Sequence, residues 1–206
     1  MNQPAAIAIA REVTLLRGFA APTGPLIDAI ALVAARAPFR RLRTPGGGTM
    51  SVAMTNCGPW GWHSDARGYR YVGRDPLTGD PWYPMPEPFF RLAGQAAARA
   101  GFPGFEPDAC LVNRYEPGAS LGAHRDHDEL DMRFPIVSVS IGLPALFLWY
   151  GERRGGTPIA TLVEDGDVVV WGGSARAGYH GVRKLQAGEH PATGALRYNL
   201  TFRRAK

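Results

Sequence analysis

Cysteine is nearly absent: of 206 residues, only Cys57 and Cys110 carry a thiol. Two isolated thiols build neither a disulfide framework nor a structural zinc knot, so the fold has to rest on a hydrophobic core, and a reducing, cytoplasmic setting is the expectation. Long apolar runs are missing as well. No segment approaches the roughly 18 consecutive apolar residues of a membrane span, and the apolar stretch Met1–Ala10 lacks the basic leader and cleavage site of a secretory signal. Lysine is as scarce as cysteine, at Lys184 and Lys206 alone, which leaves 21 arginines among the 23 basic residues. Against 18 acidic residues the net charge is +5. That excess admits a polyanionic partner, and arginine is the cation whose planar fork grips phosphate or carboxylate in bidentate fashion. Repeats, low-complexity tracts and linker-like stretches are absent too, which excludes solenoids and strings of small domains. What remains, with 45% hydrophobic and 20% charged residues, is one globular domain able to bury about 70% of its unfolded surface.

Helical periodicity is confined to the first half of the chain. One segment, Thr23 to Ala37, carries Leu26, Ile27, Ile30, Leu32, Val33 and Ala34 on a wide apolar stripe and stops before Pro38. The other, Glu87 to Ala100, places Phe89, Phe90, Leu92, Ala93 and Ala96 to Ala98 likewise and ends at Gly101 and Pro103. From Ala109 onward the texture is that of short β segments: Cys110–Tyr115, Ile136–Leu143, Ala145–Tyr150, Thr157–Val163, Asp167–Trp171 and Leu196–Arg203. Helices followed by many short strands predict an α+β chain, mainly β, with a sandwich, jelly roll or barrel as its core. Between Arg43 and Pro88 the sequence is dense in glycine, proline and aromatics, among them Trp60, Trp62, Tyr69, Tyr71 and Trp82. So long a stretch predicts a lid or binding surface, or strands that the pattern hides.

The chemistry gathers in His124-Arg125-Asp126. On a strand continued from Leu121, residues two apart share a face, as two ligands of one metal must. His180, 54 residues after Asp126, supplies a third donor. Two imidazoles and a carboxylate on one side of a metal leave positions open, the arrangement used by non-haem iron oxygenases. The same residues also suit a solvated acidic turn with an unrelated histidine, so the last strand matters. In Arg197 to Arg203, alternation puts Arg197, Asn199, Thr201 and Arg203 on one face and Tyr198, Leu200 and Phe202 on the other. The two arginines lie roughly 20 Å apart on an extended strand. They suit the two ends of a small dicarboxylate rather than a joint grip on one carboxylate. Asn113 and Tyr115 again share a face.

The motifs Thr44-Pro45-Gly46-Gly47, Met50 to Gly58, Asn113-Arg114-Tyr115, His124-Arg125-Asp126, Gly166 to Gly173, Tyr179-His180-Gly181 and Arg197 to Arg203 follow in that order. Together they resemble the AlkB family of iron(II)- and 2-oxoglutarate-dependent dioxygenases, which repair alkylated nucleic acid, nearly collinearly from about Pro38 to Arg203. The resemblance implies a double-stranded β-helix, or jelly roll, preceded by a nucleotide-recognition lid. In this chain that means one catalytic domain with an N-terminal extension and helix over 1–37, the lid over 38–88 and the core over 89–206. It places Fe(II) on His124, Asp126 and His180 as the catalytic centre, and 2-oxoglutarate on Arg197 with Asn113, Tyr115, Asn199 and Arg203, leaving one position for O2. The implied reaction hydroxylates an N-linked methyl group on a base such as N1-methyladenine or N3-methylcytosine, with release of formaldehyde, carbon dioxide and succinate.

The implied partner is single-stranded nucleic acid, DNA with RNA as an alternative, bound by a monomer without a membrane. A methyl group on the pairing edge is reached only in a flipped or unpaired nucleotide. The resemblance nominates Trp62 and His124 as the two sides of a base stack, Tyr69 near a phosphate, Asp128 and Glu129 at the base edge, and Arg154, Thr44, Met50 and Ser51 along the groove. Two departures stand out: Trp60 adds a second indole, and Gly178 replaces a larger residue, which suggests a wider floor near the metal. A zinc hydrolase leaves the Arg197–Arg203 face unexplained, and a non-catalytic reader has no need of three ligands. The same chemistry on transfer RNA, free nucleotides or protein remains the competing reading.

Overall fold

Proline opens both helices of the computed structural model, which describes residues 5–206. In the first turn its missing N–H is one that the helix leaves unpaired anyway. Helix α1, Gly24–Arg36, buries Leu26, Ala29, Ile30 and Val33; helix α2, Glu87–Arg99, buries Phe89, Ala93, Ala96 and Ala97. The spacings of three and four residues define one face of each helix. Beyond α2, Gly101 takes a φ of 94° and the Phe102 amide donates back to the Ala97 carbonyl at 2.8 Å, closing the helix end.

The strands are β1 (Ala6–Ala10), β2 (Val13–Leu16), β3 (Ala53–Cys57), β4 (Gly61–Asp65), β5 (Gly68–Val72), β6 (Ala109–Tyr115), β7 (Leu121–His124), β8 (Ile136–Gly142), β9 (Ala145–Gly151), β10 (Ile159–Val163), β11 (Val168–Trp171), β12 (Tyr179–Val182) and β13 (Arg197–Arg203). They form a seven-stranded sheet in the order β1-β2-β11-β8-β13-β6-β3, a four-stranded sheet β10-β9-β12-β7, and the separate hairpin β4-β5. All strand pairings are antiparallel. The fold is a mainly β jelly roll with two helices. The three sequence segments interleave in it: β1 and β2 lie beside β11, and β3 forms the far edge of the same sheet.

Two cores lie on either side of the large sheet. Its outer face packs Val137, Val139, Val170, Leu200 and Phe202 against the buried residues of α1 and α2. Leu200 and Phe202 are fully buried, worth about 1.5–3 kcal/mol each. The inner core joins the two sheets through Leu111, Tyr115, Ile136, Phe147, Trp149 and Trp171. Strand alternation therefore turns Arg197, Asn199, Thr201 and Arg203 inward, between the sheets. Cys57 and Cys110 are buried register partners across β3 and β6. No helix among the described residues is long and apolar enough to cross a membrane.

Candidate active site

Register brings the two histidines together. His180 on β12 sits directly opposite His124 at the end of β7, with ring centroids 4.4 Å apart. Each Nδ1 meets a backbone carbonyl, Gly122 at 2.9 Å for His124 and Gly178 at 3.1 Å for His180. A ring that donates from Nδ1 carries its lone pair on Nε2. Asp126 completes the cluster, with Oδ1 3.9 Å from His124 Nε2 and Oδ2 4.0 Å from His180 Nε2. All three donors lie within 4.8 Å of one another. Strand geometry does not carry Asp126 here, because β7 ends at His124. The loop is held instead by Arg176, which donates to the Asp126 carbonyl at 3.1 Å, and by Arg203, which donates to Asp126 Oδ2 from Nη2 at 2.7 Å and Nε at 3.0 Å.

The protonation states suit a cation. Burial pushes the Asp126 carboxyl up, but the Arg203 guanidinium and then the two imidazoles pull harder, and it ends well below the usual carboxylate range. Burial, reinforced by His124, holds His180 down to about 3, so its ring is neutral at pH 7. Ionised carboxylate and neutral imidazole are the forms that ligate metal.

Deeper between the sheets, Arg197 is 2% exposed and its guanidinium lies 4.8 Å from the Tyr115 ring centre. It donates to Ser140 Oγ at 3.1 Å. Its Nε and Nη1, together with Tyr115 Oη and Asn113 Oδ1, are buried without a hydrogen-bond partner in the protein. A buried unpaired polar group costs about 1–3 kcal/mol, more when charged. Asn199 is braced by Ser138 Oγ at 2.8 Å and the Val139 carbonyl at 3.0 Å, and Thr201 donates to Asn199 Oδ1 at 2.9 Å. The three orphaned donors, Arg197 Nε and Nη1 and Tyr115 Oη, fit a carboxylate-bearing ligand that supplies acceptors to them. The donor set of His124, Asp126 and His180 fits a divalent metal with open positions.

The outer end is a polar and aromatic mouth. Trp62 on β4 stacks with Tyr69 on β5 at 5.4 Å and 16°, and its Nε1 donates to Asp128 Oδ2 at 2.9 Å. Ser51 Oγ donates to the Ser120 carbonyl at 2.9 Å, Thr44 Oγ1 pairs with Gly48, and exposed Arg154 reaches the Ala123 carbonyl at 3.2 Å. One cavity of about 570 Å³ is lined by Thr44, Met50, Ser51, Trp62, Tyr69, Asp128 and Arg154 at the mouth, by His124, Asp126 and His180 midway, and by Asn113, Tyr115, Arg197, Asn199 and Arg203 within.

Glu129 is the exception among the residues nominated from sequence. It does not reach a base edge: it is 7% exposed, outside the cavity lining, and accepts from Tyr71 Oη at 2.6 Å and Arg176 Nη2 at 3.0 Å, with Arg203 Nε at 3.4 Å. Two arginines and a phenol satisfy this buried carboxylate. It therefore ties hairpin residue Tyr71 to the two arginines that hold Asp126. Arg176 was missed by sequence reading, and nothing in its local pattern distinguishes it from a solvated arginine. Ser138 and Ser140 on β8 were missed as well, although their alternation with Val137 and Val139 is visible in the sequence. Gly178 does not widen the floor, because a Cβ there would lie 2.2 Å from the Trp149 indole. That indole fills the space and lies nearly parallel to His180, at 6.5 Å and 17°.

Two facing antiparallel sheets around a His-Asp-His cluster, with a buried arginine behind it, define an iron- and keto-acid-dependent oxygenase. The sequence model of the 2OG-Fe(II) oxygenase superfamily matches residues 12–203, and the chain belongs to that superfamily. The family's chemistry uses Fe(II), 2-oxoglutarate and O2. More particularly, the chain is 57% identical to the alpha-ketoglutarate-dependent dioxygenase AlkB of Salmonella typhimurium over 87% of this chain and 83% of that protein. It is 54% identical to AlkB of Escherichia coli over 96% of this chain and 92% of that one. The solved structure of OsALKBH1 superposes with a TM-score of 0.85 at 26% identity, covering 97% of this chain and all of that one.

Proposed function

We propose that this dioxygenase removes alkyl groups oxidatively from N-alkylated bases, such as N1-methyladenine and N3-methylcytosine, in single-stranded DNA. The reading rests above all on one cavity that holds a metal-type cluster midway, unpartnered carboxylate-binding groups within and an aromatic mouth outside. His124, Asp126 and His180 hold Fe(II). Arg197 pairs the distal carboxylate of 2-oxoglutarate, Tyr115 donates its hydroxyl to it, and Asn113 and Asn199 line the passage. Arg203 fixes Asp126 and meets the end of the co-substrate nearer the metal. When bound, iron and 2-oxoglutarate would activate O2, one oxygen atom going to succinate as the keto acid loses carbon dioxide and the other to the N-methyl group, whose unstable carbinolamine releases formaldehyde.

The chain contributes binding and exclusion of water. Trp62 and His124 take the flipped base between them, Tyr69 sits at its phosphate and Asp128 accepts from its exocyclic amine. Thr44, Met50, Ser51 and Arg154 follow the strand on either side. The enzyme acts as one catalytic domain and as a monomer, in the cytoplasm, where Cys57 and Cys110 stay reduced. RNA carrying the same lesions is the second substrate to test, because unpaired bases in either polymer present the same edge.

Mass spectrometry of an oligonucleotide carrying N1-methyladenine, incubated with the protein, ferrous iron, ascorbate and 2-oxoglutarate, tests this directly. Loss of one methyl group only in the complete mixture is expected, and Asp126→Ala abolishes it. Succinate formation with the methyl group retained overturns the substrate but leaves the chemistry.

A further inference from the structure

The β4-β5 hairpin has two faces, and only one of them serves the cavity. Its register pairs Trp62 with Tyr71, Ser64 with Tyr69 and His63 with Arg70. Trp62 and Tyr69 therefore face the cavity, while Arg70 lies on the back. There Trp60, Arg67, Arg70, Val72, Gly73 and Arg74 line a second, open groove. We propose that this groove is an accessory contact for the single strand flanking the nucleotide in the cavity, taking its phosphates on arginine and an unpaired base at Trp60. The inference rests on the reading of the cavity as a nucleic-acid site.

Charge selects the occupant. Arg67 is 79% exposed along its side chain and touches Asp65 only at 3.4 Å. Arg70 grips the same carboxylate in bidentate fashion at 2.7 and 2.8 Å. Arg74 donates to the Gly79 carbonyl at 3.0 Å and, among the described residues, has no carboxylate within 4.0 Å. Lys206 Nζ stands 5.5 Å above the Trp60 ring, while the nearby Asp108 carboxylate is taken up by backbone amides, Lys206 N donating to Oδ2 at 3.1 Å. Arg67 and Arg70 thus share Asp65, and Arg74 and the Lys206 ammonium add two more positive charges to the same face. The other nearby acids are engaged elsewhere, Asp75 by Arg40 at 2.6 Å and Asp80 by Arg36 at 3.5 Å. Such a surplus is complementary to a polyanion.

The aromatic element argues for nucleic acid rather than an acidic peptide. Trp60 is half-buried and its amide donates to the Asp108 carbonyl at 3.2 Å, so the indole stands on a fixed backbone. Gly73 beside it has no side chain to cover the ring: a Cβ there would meet it at 3.5 Å. An indole bordered by arginines is the combination that holds unpaired bases and their phosphates together. The groove and the mouth meet at the hairpin, where Tyr69 lines the mouth and Arg67, two residues before it, lines the groove. Tyr69, 44% exposed, and Arg67 lie at the hairpin tip, so a strand leaving the cavity past Tyr69 turns around Arg67 onto the back face.

Two variants test this, Trp60→Leu and the pair Arg67→Gln with Arg74→Gln, using single-stranded oligonucleotides of about 5 and about 20 nucleotides, the shorter about the site size of one binding module. The arginine pair is expected to weaken the long strand about tenfold and to lower its salt slope by about 1.4, at roughly 0.7 per phosphate contact. Trp60→Leu weakens the long strand with the slope unchanged. Demethylation of the short strand stays at the wild-type rate in both. Wild-type affinity of both variants for the long strand overturns the proposal, and so does an equal loss on both lengths, which marks a damaged hairpin. Polyglutamate bound as tightly as the long strand, and weakened in parallel by both variants, overturns it in favour of an acidic protein partner. Wild-type protein that neither binds nor demethylates either length overturns the reading of the cavity itself.

Discussion

The inner end of the cavity and its mouth are built in opposite ways. Within, the functional groups stand on strand interiors at alternate positions, and Arg197, Tyr115 and Asn113 keep buried polar atoms without a partner. At the mouth, the groups stand on a hairpin and loops and are already paired: Trp62 with Asp128 and Tyr69, and Ser51 with the Ser120 carbonyl. An end that is costly when empty is shaped for one ligand of fixed size and charge. A mouth that is already paired exchanges bonds when a substrate enters, so the net gain per contact is small and many substrates are tolerated.

The largest test of that contrast is Arg197→Met. One charge-assisted contact is worth about 1.5–3 kcal/mol, so KM for 2-oxoglutarate should rise about 10- to 100-fold. Stability should move the other way. The variant removes a buried cation with two unpaired nitrogens, so the ligand-free protein should melt higher than wild type, and a given concentration of 2-oxoglutarate should raise the melting temperature less. A lower melting point in the ligand-free variant would mean that the inner end is satisfied after all, and the contrast would collapse.

Trp62→Ala probes the mouth. Losing one stacking surface should weaken single-stranded oligonucleotides by about 1–3 kcal/mol. Succinate formed without nucleic acid should be unchanged, because Trp62 is tied to Asp128 and Tyr69 and not to the cluster. A fall in that uncoupled succinate would show that the two ends are mechanically one.

The same contrast explains what was legible in the sequence. Helices α1 and α2 were predicted to within one residue, because their stripes are long and punctuated by proline and glycine. Strands β6, β8, β9, β10, β11 and β13 were visible as β-branched runs, and the alternation of β13 alone put Arg197, Asn199 and Arg203 on one face. Strands β1 to β5 and β12 were hidden. Alanine-rich β1 and β4, which carries Gly61 and Asp65, have little strand propensity, and they form because a neighbouring strand or hairpin partner holds them. Asp128 and Glu129 are adjacent acids with nothing in the sequence to separate them. Only the tertiary placement of Arg176 and Arg203 turns Glu129 into the core while Asp128 stays at the mouth.

The smallest expected effect is a pH dependence that belongs to the middle of the cavity and not to its mouth. In the metal-free protein, burial holds His180 down to about 3, whereas an unfolded histidine titrates near 6.5. The unfolded chain therefore binds a proton that the folded protein refuses. The stability this gives is fully present above about pH 6.5 and drains away as the pH falls toward 3. Between pH 7 and 5.5 the loss from this one group is about 1 kcal/mol, or about 2–4 °C in melting temperature for a chain of this size. His180→Gln removes the titrating ring and should flatten that slope, while Trp62→Ala should leave it as steep as wild type. Asp126, held low by Arg203, adds its own loss only as the pH falls below about 4, the range of an unfolded carboxyl; His63, lowered by burial and Arg70, adds to the slope in both proteins, so the difference between wild type and His180→Gln from about pH 7 to 5.5 reads His180. Equal slopes in wild type and His180→Gln would show that the ring is not held neutral by burial.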